Sequence, residues 1–135
     1  MANALYTKGK EALLDGSINL EANTIKCVLV DAADYTVNLS THDNLDDIPS
    51  GARVGTPQTL GSKTFTGGVF DAADATFPSV TGDPCEAIVI YKDTGTESTS
   101  RLLAYIDTAA SGLPVTPNGG NIQIQWNAGG IFALS

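Results

Sequence analysis

Glu86–Asp93 (EAIVIYKD) and Arg101–Asp107 (RLLAYID), joined by Thr94–Ser100 (TGTESTS), decide how this chain folds. Both flanking runs are short, apolar and rich in β-branched or aromatic residues, too short for helices and well suited to strands. The joining stretch is seven polar residues long. That combination predicts an antiparallel hairpin with a flexible, exposed loop.

Working outward, Thr24–Asp31 (TIKCVLVD) is almost wholly apolar after Lys26. A strand with no polar alternation has both faces covered, so this segment is expected at the centre of a packed sheet. Toward the C-terminus, Leu113–Gly120 is a turn-rich connector with two prolines and an Asn-Gly pair. Asn121–Trp126 (NIQIQW) alternates, placing Ile122, Ile124 and Trp126 on one face of a half-wet strand. Ile131–Leu134 is a last short strand. In the middle, Arg53–Leu60 and Ser62–Thr66 are weaker strands broken by Pro57 and glycines, while Val69–Asp71 and Ala75–Val80 flank a bend. Asp43–Pro49 (DNLDDIP) reads as one helical turn closed by its proline. The only convincing helical period is at Asn3–Asp15, where Ala4, Leu5, Ala12 and Leu13 share a face, Gly9 weakens the helix and Gly16 ends it. The DAAD tetrad at Asp31–Asp34 and Asp71–Asp74 has unlike surroundings and is not a repeat. The expected fold is mainly β: an antiparallel, jelly-roll-like β-sandwich in a single domain over 1–135, with 1–16 a short helix or arm and 18–135 the sandwich.

Composition excludes several roles. Hydrophobic residues make up 42% of the chain, enough for a core, whereas charged residues are only 16%. Seven Lys and Arg against fifteen Asp and Glu give a net charge of −8. Such a chain lacks the cations that displace counterions from phosphates, so neither nucleic acid nor an anionic membrane is an expected partner. No apolar run approaches the roughly 20 residues of a bilayer span, and MANALYTKGKEALLDG lacks the apolar core of a signal peptide. Synthesis in the cytoplasm is the expectation. Cys27 lies in an apolar run and Cys85 opens a strand; two distant cysteines read as free thiols rather than a disulfide framework.

The search for chemistry is largely negative. The single histidine, His42, precedes Asp43 and Asp46, but no G-x-S-x-G elbow accompanies it, and it reads as a loop residue near a helical start. Cys27, Cys85 and His42 lack zinc spacing. Asp31, Asp34, Asp43, Asp46, Asp47, Asp71, Asp74 and Asp83 could offer oxygens to calcium, yet no D-x-D-x-D-G loop is present, and aspartates at strand ends ordinarily close Asx-turns. The glycine doublets are not followed by Lys-Ser or Lys-Thr and cradle no phosphate. Tyr91, Tyr105 and Trp126 are read as core, with a sugar-stacking platform as the alternative. Arg53 and Arg101 stand at strand beginnings, free to pair within the fold or with a partner. No catalytic residue, cofactor or metal ligand is assigned.

Six phrases in order carry what remains: ALYTKGKEALLDGSI from Ala4, IKCVLVDAADYTVN from Ile25, HDNLDDIPSGARV from His42, GVFDAADATFPSV from Gly68, EAIVIYKDTGTESTSRLLAYID from Glu86 and GLPVTPNGGNIQIQW from Gly112. Together they resemble a family of small virion structural proteins of tailed bacteriophages, of the capsid cement or decoration type. The resemblance implies a non-enzymatic protein on the head surface, bound to the major capsid protein and to itself as a dimer or trimer. Alternatives are a tail or baseplate component and a carbohydrate-binding module. Contacts are expected from the N-terminal helix and the two long loops, through Leu5, Tyr6, Leu13, Leu14, Asp43, Asn44, Asp46, Asp47, Thr96, Glu97 and Arg101.

Overall fold

The computed structural model describes residues 3–107 and 109–133. In chain order the regular elements are β1 (Ala4–Leu5), α1 (Thr7–Asp15), β2 (Ile25–Val30), β3 (Arg53–Thr59), β4 (Val69–Phe70), β5 (Ala75–Phe77), β6 (Ala87–Lys92), β7 (Leu102–Ile106), β8 (Ile122–Ile124) and β9 (Phe132–Ala133). Five strands form an antiparallel sheet in the order β1-β7-β6-β2-β3, and two ribbons, β4-β9 and β5-β8, stand apart from it. The protein is mainly β, with one α-helix and antiparallel sheets.

β2 sits between β6 and β3, and both its faces are covered, as its unbroken apolar run requires. Ile25, Cys27 and Leu29 join Ile88, Ile90, Ala104 and Ile106 in a core with Phe77, Ile122, Ile124 and Trp126 of the ribbon side and Ala12 of α1. Val28, Val30, Val89, Tyr91, Leu102 and Tyr105 face the other way, under Tyr6, Tyr35, Leu45, Ile48 and Ala52. The long connection from β2 to β3 therefore acts as a lid of the second face. Burying each large aliphatic or aromatic side chain is worth about 1.5–3 kcal/mol, so the central strands carry much of the stability. Tyr91, Tyr105 and Trp126 are all core, which removes them as a sugar platform.

The hairpin is as expected, with one irregularity. Ile90 pairs with Ala104 but Tyr91 pairs with Leu102, so Leu103 is an extra residue in β7. Its carbonyl accepts the Tyr6 N–H at 3.0 Å. This corrects the N-terminal expectation. Ala4 and Leu5 pair with Tyr105 and Ala104 as an edge strand, and Tyr6 is extended (φ −67°, ψ 140°), so the helix begins only at Thr7. Asp107 N–H also donates to Asn3 Oδ1 at 2.8 Å, so 3–16 is an integral layer of the fold rather than an arm. Gly16 ends α1 in the left-handed region (φ 84°), as its position predicts.

Other corrections are local. Ser62–Thr66 is not a strand: Ser62 has φ 52°, and only Thr64 bridges, to Asp71, before a 3-10 turn at Thr66–Gly68. Val69–Asp71 and Ala75–Val80 contain strands shortened to β4 and β5, and β9 covers part of Ile131–Leu134, whose Leu134 lies outside the described residues. The connector at Leu113–Gly120 is tied down where Val115 and Cys85 exchange backbone hydrogen bonds of 2.9 and 2.8 Å. The Thr94–Ser100 loop is exposed through Thr99 but internally bonded. Thr94 and Thr99 hydroxyls meet at 2.6 Å, and the buried Ser100 hydroxyl donates to the Thr96 carbonyl at 2.8 Å.

Candidate functional site

Two of the segments singled out in the sequence converge. Asp43–Pro49 holds a 3-10 turn at Leu45–Asp47, anchored by the buried Leu45 and Ile48. Asp47 Oδ2 accepts the N–H of Asp43 at 2.7 Å and of Asn44 at 3.4 Å, satisfying donors left open at the turn's start. The hairpin loop holds a second turn, Glu97–Thr99. Backbone bonds Leu45 N–H to Ser100 O (2.8 Å) and Leu102 N–H to Asp43 O (2.9 Å) join the two, and Asn44 bridges Arg101. Arg53, at the start of β3, donates from Nη2 to Glu97 Oε1 at 2.9 Å. That ion pair is within the fold, which answers one of the two arginine questions. Asp43, Asn44, Asp46, Asp47, Thr96, Glu97 and Arg101 thus share one polar surface, with Asp46, Thr96 and Glu97 its exposed members.

The charges on that surface are set. The Arg53 hydrogen bond and positive charge hold Glu97 below the usual carboxylate range. For Asp47, burial pushes upward but the N–H groups of Asp43 and Asn44 outweigh it, so the carboxyl lies below its ordinary value. Two carboxylate trios are close enough to gather about a cation, Asp31-Asp34-Asp83 and Asp43-Asp46-Asp47. Backbone N–H groups already engage both trios: Ala33 N–H donates to Asp31 Oδ1 at 2.9 Å, the Asx-turn expected of such an aspartate, and Asp47 Oδ2 closes the capping box at Asn44.

The two thiols and the imidazole have settled surroundings. Burial pushes the Cys27 thiol up to about 12 and the Cys85 thiol up to about 11, far from the thiolate form at neutral pH. His42 lies in the lid, its Nδ1 2.8 Å from the Tyr35 hydroxyl. Neither a protein-family model nor a curated protein matches the sequence. The surface itself must therefore carry the functional argument.

A second surface lies at the end of the molecule formed by the C-terminus of α1 and the β4-β9 ribbon. A groove of about 370 Å³ is lined by Leu13, Gly16, Ile18, Asn19, Leu20, Glu21 and Phe65, and a smaller, more apolar one by Leu20, Phe65, Gly68, Val69, Phe70 and Phe132. Leu20 and Phe65 line both, so the two are neighbours. Phe65 stacks on Phe70 at 5.9 Å, and Phe70 meets Phe132 at 5.1 Å. Leu14, on the last turn of α1, is 84% exposed and Phe65 is 38% exposed.

The contact residues named from the N-terminal segment separate accordingly. Leu14 is at the surface, Leu13 is half-buried against the core, and Leu5 is half-buried in β1. Tyr6 is fully buried and is corrected to a core residue: the extended backbone at its position turns the ring inward before the helix starts. Sequence reasoning missed Phe65, Leu20 and Phe132. Only an apolar residue among the glycines and threonines of 61–68 signalled the first.

Proposed function

We propose that this chain is a non-enzymatic virion structural protein, a capsid cement protein that binds the outer face of a tailed-phage head shell and stabilises contacts between major capsid protein subunits. The supporting observation is the apolar end. Core packing has already buried the aliphatic and aromatic side chains of both sheet faces, yet Phe65 stays partly exposed where it lines the groove with Leu13, Ile18 and Leu20, and Leu14 is exposed on the last turn of α1. Exposed apolar side chains beside a groove rimmed by Asn19 and Glu21 suit a protein contact. The sheet behind it is a rigid platform, and the polar loop pair supplies a second surface. A protein with separate contact surfaces can bridge neighbouring subunits or sister copies, and repetition over a shell turns modest contacts into large net stabilisation. The acidic surface keeps many adjacent copies soluble.

Electron-microscopy density of intact particles tests this directly. The expected result is density for this fold on the head exterior, and absence from finished particles would overturn the reading. Leu14→Lys sharpens the test, because a cation in the last helical turn suits the helix dipole and leaves α1 intact. The variant is expected to fold normally and bind shells more weakly.

A further inference from the structure

The lid over the second sheet face closes on a polar chain of fixed direction. The turn at 38–42 is held by His42 N–H to Asn38 O (3.1 Å) and by Ser40 and Thr41 N–H groups to Asn38 Oδ1 (both 3.1 Å). Its fourth tie runs from Asn38 N–H to His42 Nδ1 at 3.3 Å. A backbone N–H only donates, so Nδ1 must present its lone pair and the imidazole proton sits on Nε2. With Nδ1 an acceptor, the Tyr35 hydroxyl, 2.8 Å from the same nitrogen, donates to it and shares its single lone pair with the Asn38 N–H, and the Tyr6 hydroxyl, 2.9 Å from Tyr35 Oη, donates in turn to Tyr35. The direction is therefore Tyr6 to Tyr35 to His42, from a fully buried phenol outward.

We propose that His42 is a pH-operated latch, whose protonation loosens the 38–42 turn within the lid. A proton on Nδ1 faces the Asn38 N–H, donor against donor, and that tie is lost. It also reverses the Tyr35 bond. Either Tyr35 or Tyr6 then holds a hydroxyl proton with no acceptor, in a part of the core where both rings are within 3% of complete burial. The groups around His42 divide in their effect. Tyr35 stacks on its ring at 5.4 Å and, with Tyr105 and Tyr6 behind it, offers no charge to the cation. The charge of Asp47 reaches His42 and favours the cation while its own Oδ2 stays bound to two backbone N–H groups, and the carboxylates of Asp43 and Asp46 lie within 4.8 Å of that of Asp47, adding charge of the same sign. The cation is thus drawn toward Asp47 as it leaves the tyrosine chain. Because Leu39 O accepts the Thr7 N–H at 2.8 Å, release is felt at the start of α1. Histidine is the side chain whose unperturbed charge change falls between about pH 5 and 8, which sets the range over which the latch is tested. This inference is independent of what the protein binds.

Amide exchange and imidazole nitrogen shifts, both by NMR on the whole chain, test it. In the wild type the protection of the Asn38 amide is expected to fall about tenfold or more from roughly pH 7.5 to 5, with the same midpoint as the His42 titration. In His42→Asn, whose amide oxygen can replace Nδ1 as acceptor but does not titrate, protection is expected to stay flat. Constant protection in the wild type, an equal fall in the variant, or a neutral imidazole carrying its proton on Nδ1 would each overturn the latch. The tautomer and the coincidence of midpoints are read on the wild type, so the test survives a variant that fails to fold.

Discussion

Gly9 rides directly over Leu103. A Cβ at position 9 would lie 2.9 Å from Leu103 Cα and 2.6 Å from the Leu102 carbonyl oxygen, so α1 approaches β7 at its bulge with no room for a side chain. A glycine that looks like a weakness in the helix is therefore its docking point. Gly9→Ala gains about 1 kcal/mol of helix propensity but meets backbone atoms that cannot give way. The expected outcome is net destabilisation of about 1–3 kcal/mol, read as a lower urea midpoint at unchanged slope.

The fixed direction of the tyrosine chain makes its members unequal. Tyr6→Phe removes a donor and leaves Tyr35 still donating to His42, at a cost of about 1 kcal/mol. Tyr35→Phe leaves the fully buried Tyr6 hydroxyl without an acceptor, at a cost of about 1–3 kcal/mol. The double variant should cost less than the two singles combined, because it removes the stranded donor. Urea unfolding of the three variants at neutral pH checks the order. Equal costs that add would show that the chain runs otherwise.

Where the sequence was legible, short-range chemistry was sufficient. β2 was readable because an apolar run uninterrupted on either face has only one comfortable place in a sheet, and the β6-β7 hairpin because two such runs flank one polar loop. β1 was not readable, since Ala4 and Leu5 continue the helical period of Ala12 and Leu13, and only pairing with β7 and the bulge carbonyl overrides it. Strand order depends on contacts between distant residues that no local pattern encodes. The same holds for the surfaces: Asp46 and Glu97 share one because the hairpin places its loop against the lid, and Leu20, Phe65 and Phe132 meet from three distant segments.

Both cysteines should be inert in the native protein. Each is fully buried and its thiol is pushed up by loss of solvent, to about 12 for Cys27 and about 11 for Cys85. A disulfide-exchange reagent at neutral pH is expected to label neither until denaturant is added, and then to label two per chain. Labelling of the folded protein at the rate of a free thiol would show that the segments covering these residues open readily.

The Arg53–Glu97 pair ties the start of β3 to the hairpin loop and makes that junction sensitive to acid. Glu97 is held below its ordinary 4.5, so its contribution is fully present above that value and is lost as pH falls through the lower, folded value. Its side chain is more than half exposed, so the effect is small and is screened by salt. Wild type and Glu97→Gln are therefore expected to differ in urea midpoint at neutral pH and low salt, and to converge on acidification below the glutamate range. A difference that grows with acid would reverse the sign of the linkage and place the stabilising role of Arg53 elsewhere.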